Sequence, residues 1–166
     1  IPREVYSEIV EKPIKNKKFE LEALRMKKLV DERVLEFPNS VGVKDADISE
    51  KIEDLLDVAN STFVGRGKNI HIIDLGEAAV VVLSRILDEK KIQNVAAIDE
   101  RTTRVMCERP DKLVKLLRRK LHANVTAHKE NFKKFGSCKI IRSTELIYIA
   151  YKKGFINLKD PRALDA

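Results

Sequence analysis

The sequence predicts an α/β protein, a three-layer α/β/α sandwich around a mainly parallel central sheet. Three observations predict it. Segments with helical apolar spacing alternate with short strand-like runs along the chain, the pattern of βα units. One of these runs, "IQNVAAI" at 92–98, reads as a strand buried on both faces of a parallel sheet. The helix before it, led by Glu77, is apolar almost all round through Ala78, Ala79, Val80, Val81, Val82, Leu83, Ile86 and Leu87, and such a helix is normally buried.

The other elements follow in order. Pro2 stands near the start of a short helix running to about Val10. Lys12 to Lys18 is a basic connection. Leu21, Leu24, Leu29 and Val30 suit an amphipathic helix over Phe19 to Val30. "RVLEF" is strand-like and stops at Pro38-Asn39. Asp47 opens a helix with Ile48, Ile52, Leu55, Leu56 and Ala59 on its apolar face, and "GRGK" at 65–68 is a turn. A helix over about Arg101 to Glu108 is followed by another that Pro110 starts, with Leu113, Leu116, Leu117 and Leu121 along one side. "CKIIR" is a strand. "STELIYIAYKKG" is a helix with Ser143 as N-cap and Gly154 at its stop.

At 166 residues, 43% hydrophobic and 36% charged, the chain fits one folded domain and excludes a disordered segment. No apolar run reaches the 18 or more residues of a membrane span and no segment reads as a signal peptide, so no membrane partner is expected. The two cysteines, Cys107 and Cys138, lie outside any CxxC pattern, which suggests a reducing, cytoplasmic setting. The net charge of +7 is regional. Residues 101–142 hold 13 Lys and Arg against 3 Asp and Glu, whereas the rest of the chain holds 20 against 23. Such concentration suits a surface that meets a polyanion.

The carboxylates raise the chemical question. Asp74 and Glu77 have the spacing of a helix-capping box, and so do Asp47 and Glu50 before an ordinary helix, so the spacing alone says little about function. Glu77 differs by its place at the tip of an apolar helix. Asp99 and Glu100 follow the apolar run at 92–98, at the carboxyl end of a strand where α/β proteins form their ligand crevice, although Asp99 could equally cap the next helix. Acids from separate segments meeting at one edge would need a hard divalent cation such as Mg²⁺ or Mn²⁺ between them. Cys107, His122, His128 and Cys138 match no usual zinc spacing, and Gly65-Arg-Gly-Lys68 lacks the P-loop pattern.

"IPREVYSEIV", "DLGEAAVVVLSRI", "VAAIDERTTRVM" and "IRSTELIYIAYKKGFI", in this order, resemble the PIN-domain nucleases of archaea and bacteria. The resemblance spans residues 1–10 and 70–158. It implies an α/β/α sandwich whose acidic pocket binds Mg or Mn and cuts RNA, with Glu8, Glu77 and Asp99 as catalytic metal ligands, Asp74 as a further one, and Glu100 as an auxiliary beside it. It places Ser143 or Thr144 at the small hydroxyl position before the last helix. The family's first acid ends a strand that would precede Ile1, so a single PIN-like domain over 1–166, incomplete at its N-terminus, is expected. The segments 11–68 and 108–139 are extensions that the resemblance does not explain. Arg101, Arg104, Lys112, Lys115, Arg118 and Arg119 are the expected phosphate contacts, with Ser143 beside them. The expected partners are RNA, a second copy in a homodimer, and an antitoxin or processing partner. The competing expectation is a non-catalytic RNA-binding or protein-interaction module on the same fold.

Overall fold

The structure, a computed structural model, describes residues 1–136 and 138–157. Helix takes up 62% of the described residues and strand only 8%. Seven α-helices lie among them: α1 (Arg3–Tyr6), α2 (Glu20–Asp31), α3 (Asp45–Thr62), α4 (Leu75–Glu89), α5 (Arg101–Glu108), α6 (Pro110–Leu121) and α7 (Ser143–Lys152). The strands are β1 (Phe63–Gly65), β2 (Lys68–Asn69), β3 (Ala96–Ala97), β4 (Val125–Ala127) and β5 (Ile140–Ile141). They form two separate sheets, an antiparallel β2-β1-β4 and a parallel β3-β5 pair.

The expected three-layer sandwich around a mainly parallel sheet is therefore incorrect. Side chains and helix ends satisfy the backbone groups that a larger sheet would have paired. Asn60 Oδ1 accepts the Ile72 and Ile73 N–H groups at 2.6 and 3.2 Å, and Asn60 Nδ2 donates to the Ile73 carbonyl at 3.2 Å. One amide thus stands where a neighbouring strand would lie. "RVLEF" is consumed by the end of α2: Arg33 is left-handed at φ 56, and Val34 and Leu35 both donate to the Leu29 carbonyl. In the run at 92–98 the strand is confined to Ala96 and Ala97, with Ile98 N–H also donating to the Ile141 carbonyl, while Asn94 Nδ2 donates to the Ser84 carbonyl, Asp88 and the Ile92 carbonyl.

The core lies between α3 and α4. Ile48, Ile52, Leu55, Ala59 and Thr62 recur at helical spacing on α3 and are buried against Ala78, Ala79, Val81, Val82 and Ile86 of α4. At the end of α3 the Phe63 ring stacks on Phe132 and Phe135, with centroids 5.9 and 6.3 Å away. The "GRGK" turn joins β1 to β2, with Arg66 and Gly67 both at positive φ, as a two-residue hairpin demands. α5 and α6 begin where expected, and Pro110 occupies the first turn of α6. Two helix starts differ. α3 opens at Asp45, so Asp47 lies inside it, and Arg142 rather than Ser143 holds the N-cap position of α7.

Among the described residues no helix is long and apolar enough to cross a membrane. Both cysteines are buried free thiols. Burial pushes the Cys107 thiol up to about 12, with Cys138 nearby adding to the effect. A thiol so far above neutrality holds almost no thiolate, the nucleophilic form. At pH 8 iodoacetamide should therefore label Cys107 orders of magnitude more slowly in native protein than in urea, as peptide mass mapping over time will read.

Candidate functional site

The acids converge only in part, and the N-terminal turn of α4 is where they do so. α1 widens after Tyr6 into a π-helical turn, Ser7–Glu11, in which the Lys12 N–H bonds to the Ser7 carbonyl at 2.9 Å. Such a turn re-aims its side chains, and π turns are frequent at functional sites. Glu8 lies on it with its carboxylate against Gly76, so closely that a Cβ at position 76 would overlap Glu8 Oε2. Glycine at this point is what lets Glu8 reach the tip of α4.

Glu77 is the next residue. Its Oε2 accepts the Thr103 hydroxyl of α5 at 2.8 Å and, reaching back, the Asp74 N–H at 3.2 Å. Burial raises the Glu77 carboxyl above its ordinary value. The two hydrogen bonds oppose the shift, and the charges of Glu100 and Asp74 add to it. Asp74 itself is exposed, with its Oδ1 2.6 Å from His71 Nε2. Glu100 caps α5 by accepting the Thr102 and Thr103 N–H groups and the Thr102 hydroxyl.

Asp99 is exposed and belongs to a different contact. Its Oδ1 accepts both the Ser143 N–H at 2.8 Å and the Ser143 hydroxyl at 3.0 Å, which joins the carboxyl ends of the two parallel strands. Those bonds, with Arg142 close by, hold the Asp99 carboxyl below its ordinary value. Among the described residues no three His, Cys, Asp or Glu side chains draw close enough to ligate one ion. Glu8 lies against Gly76, Glu77 is held by Thr103 and the Asp74 N–H, and Asp99 stays with Ser143. A path of contacts runs from Glu8 through Gly76, Glu77, Thr103 and Glu100, the residue next to Asp99.

The basic residues divide in a similar way. Arg101 and Arg119 line one cleft of about 390 Å³ together with Glu100, Thr102, Leu116 and Lys120, and Lys120 Nζ stands 3.9 Å from Glu100. Three cations thus face a hollow that adjoins the acids. Lys112 pairs with Asp111 at 3.8 Å, and Lys115 is exposed on the same helix. Arg118 turns away: its Nε and Nη2 donate to the Val125 carbonyl at 3.1 and 2.9 Å and fasten α6 to β4. Arg104 is half-buried on α5, close enough to Glu145 to favour that carboxylate's charge. Sequence reasoning missed Thr103 and Lys120. The signal for Thr103 was present, since Glu100-Arg-Thr-Thr puts two hydroxyls in the first turn after an acid. Nothing local pointed to Lys120.

Compared with known protein families, curated proteins and solved structures, the chain matches none of them.

Proposed function

We propose that the protein is a metal-dependent endoribonuclease, the activity its resemblance to the PIN nucleases implies. One observation supports this reading above the others. The cleft of Arg101, Arg119 and Lys120 shares Glu100 and Thr102 with the acidic edge, so cations suited to phosphate adjoin acids suited to a metal. The donor set fits a hard ion, being carboxylate and hydroxyl oxygen throughout. The crowding of Glu77 by Glu100 and Asp74 is the kind of repulsion a divalent cation relieves. Glu8, Glu77 and Asp99 as they stand do not surround one site, so holding Mg or Mn would require them to draw together and Asp99 to leave Ser143, with Asp74 at the rim. Such an ion, when bound, makes a nucleophilic water available at neutral pH and offsets charge on the leaving oxygen.

The chain's own groups do the rest. Arg101, Arg119 and Lys120 hold the RNA backbone by its phosphates, contacts that fix position without reading sequence. Thr103 fixes the rotamer of Glu77, and Ser143 fixes that of Asp99. Three phosphate contacts on a single strand give log K against log salt a slope of about −2.

A second reading, an RNA-binding module without catalysis, is favoured by one feature. Asp99 is already engaged by Ser143, while the cation cleft needs no metal. Mn²⁺-dependent cleavage of a mixed single-stranded RNA, compared between the native chain and Asp99→Asn, separates the two. Cleavage that chelation abolishes and that falls at least about 100-fold in the variant is expected. Equal cleavage in both removes Asp99 from the site, and no cleavage in either with RNA binding retained leaves the binding module.

A further inference from the structure

A second cleft, of about 460 Å³, lies between α3, α4 and the 3₁₀ turn at Lys129–Lys134. Small-molecule sites usually span about 300–1,000 Å³. Arg85, which lines it, stands eight residues along α4 from Glu77, about 12 Å by helical rise, so the cleft is separate from the acidic edge. Arg85 Nε and Nη2 are enclosed and have no hydrogen-bond partner among the described residues. Gly136, at φ 63, lies against them: a Cβ there would come within 3.0 Å of Nε. With those two nitrogens enclosed, Nη1 is the one left to the cleft. Burial lowers the Arg85 pKa from its ordinary value, yet a guanidinium stays charged at neutral pH. Glu89 is near enough to favour that charge, but it is engaged by Lys51 Nζ at 3.1 Å. A half-buried cation without a counter-ion is costly, and a carboxylate brought in from solution would supply one.

We propose that this cleft binds a free aliphatic α-amino acid, with its carboxylate on Arg85 and Lys134 and its ammonium on Asp54 and Asp57. Charge selects this class of ligand. Lys51 and Glu89 neutralise each other, which leaves two cations, Arg85 and Lys134, and two acids, Asp54 and Asp57. The acids stand a turn apart on α3, whereas the cations come from α4 and the 3₁₀ turn. All four line the cleft, yet no ion pair joins either acid to either cation. The gap between them suits a molecule that carries both charges. A phosphate dianion would meet two acids, and a simple amine would leave Arg85 as it is. Leu55, Val58 and Val82 complete the lining, and their aliphatic surface suits a side chain of the same kind. The inference uses none of the groups assigned to RNA or metal and does not rest on the nuclease reading. A ligand bridging α3 to α4 and the turn ties together elements that the core already joins, so its binding stabilises the whole fold.

Titration calorimetry and thermal melting of the full chain at neutral pH test the proposal. The probes are L-leucine, isocaproate (leucine without its ammonium), isoamylamine (leucine without its carboxylate) and inorganic phosphate. Leucine should bind saturably and raise the melting temperature, and each of the other three should bind at least about tenfold more weakly. Arg85→Met exchanges the uncompensated charge for an apolar side chain, so the variant should melt no lower than the native chain while its leucine affinity falls at least about tenfold. Asp54→Asn, at an exposed position, should fold as the native chain does and lose affinity by a similar factor. No saturable leucine binding at millimolar concentrations overturns the proposal. So does isocaproate, isoamylamine or phosphate binding as tightly as leucine. Leucine affinity unchanged in Asp54→Asn, or in a folded Arg85→Met, overturns it as well.

Discussion

Phe63→Ala should cost the folded state about 3–5 kcal/mol, the range for removing a buried phenyl ring from a packed core. Phe63 is fully buried, and its ring is the common partner of Phe132 and Phe135. It also stands where α3 turns into β1, opposite Ala127 of β4. The cavity would therefore open between the main helix pair, the antiparallel sheet and the 3₁₀ turn at Lys129–Lys134, none of which can collapse without moving another. Against a typical total stability of about 5–15 kcal/mol, a loss of this size leaves a marginal protein. Urea unfolding should show a large fall in midpoint. Phe19→Ala, at a half-exposed ring, should move the midpoint little.

Glu77→Gln should act on activity and stability in opposite directions. The amide keeps an oxygen to accept the Thr103 hydroxyl and the Asp74 N–H, and it removes a charge that burial and two neighbouring acids disfavour. Because the native carboxyl lies above its ordinary 4.5, the native state holds a proton more readily than the unfolded chain. The stability this brings is fully present below pH 4.5 and is lost as the pH rises through the native value. At pH 7 the glutamine variant should consequently melt a few degrees higher than the native chain, and the gap should close as the pH is lowered past 4.5. If Glu77 ligates the metal, the same variant should lose Mn²⁺-dependent cleavage about 100-fold or more, and Mn²⁺ should raise the melting temperature of the native chain alone. A gain in stability with a loss of activity is the mark of a strained functional group. Loss of both would make Glu77 structural. Melting curves at pH 4, 5.5 and 7, with and without Mn²⁺, make the distinction.

Helices were legible and sheets were not, for a physical reason. α4, α5 and α6 carry their boundaries in local chemistry: an acid at the tip, a proline in the first turn, an apolar face at 3.6-residue spacing. A strand is defined by what lies beside it. The extended segment at 70–74 has the composition of a strand, yet the amide of Asn60, twelve residues upstream, takes the bonds a neighbour would have made. No period within 70–74 contains that information. The candidate site divides along the same line. Glu77 stood out because its position was locally odd, and Glu8 stood out only through the family resemblance. The pairing of Asp99 with Ser143 and the arrival of Lys120 beside Glu100 depend on chain crossings that spacing does not encode.

The missing side chain at Gly76 gives the acidic tip an unusual kind of control. Among the described residues the carboxylates of Asp74, Glu77 and Glu100 are held by what they accept, whereas that of Glu8 occupies the empty volume over a single glycine Cα. The electrostatic character of the edge is thus governed partly by a steric vacancy on a residue that bears no charge. Filling it with one methyl group would push a negative charge away while every ionisable residue in the chain stayed as it is.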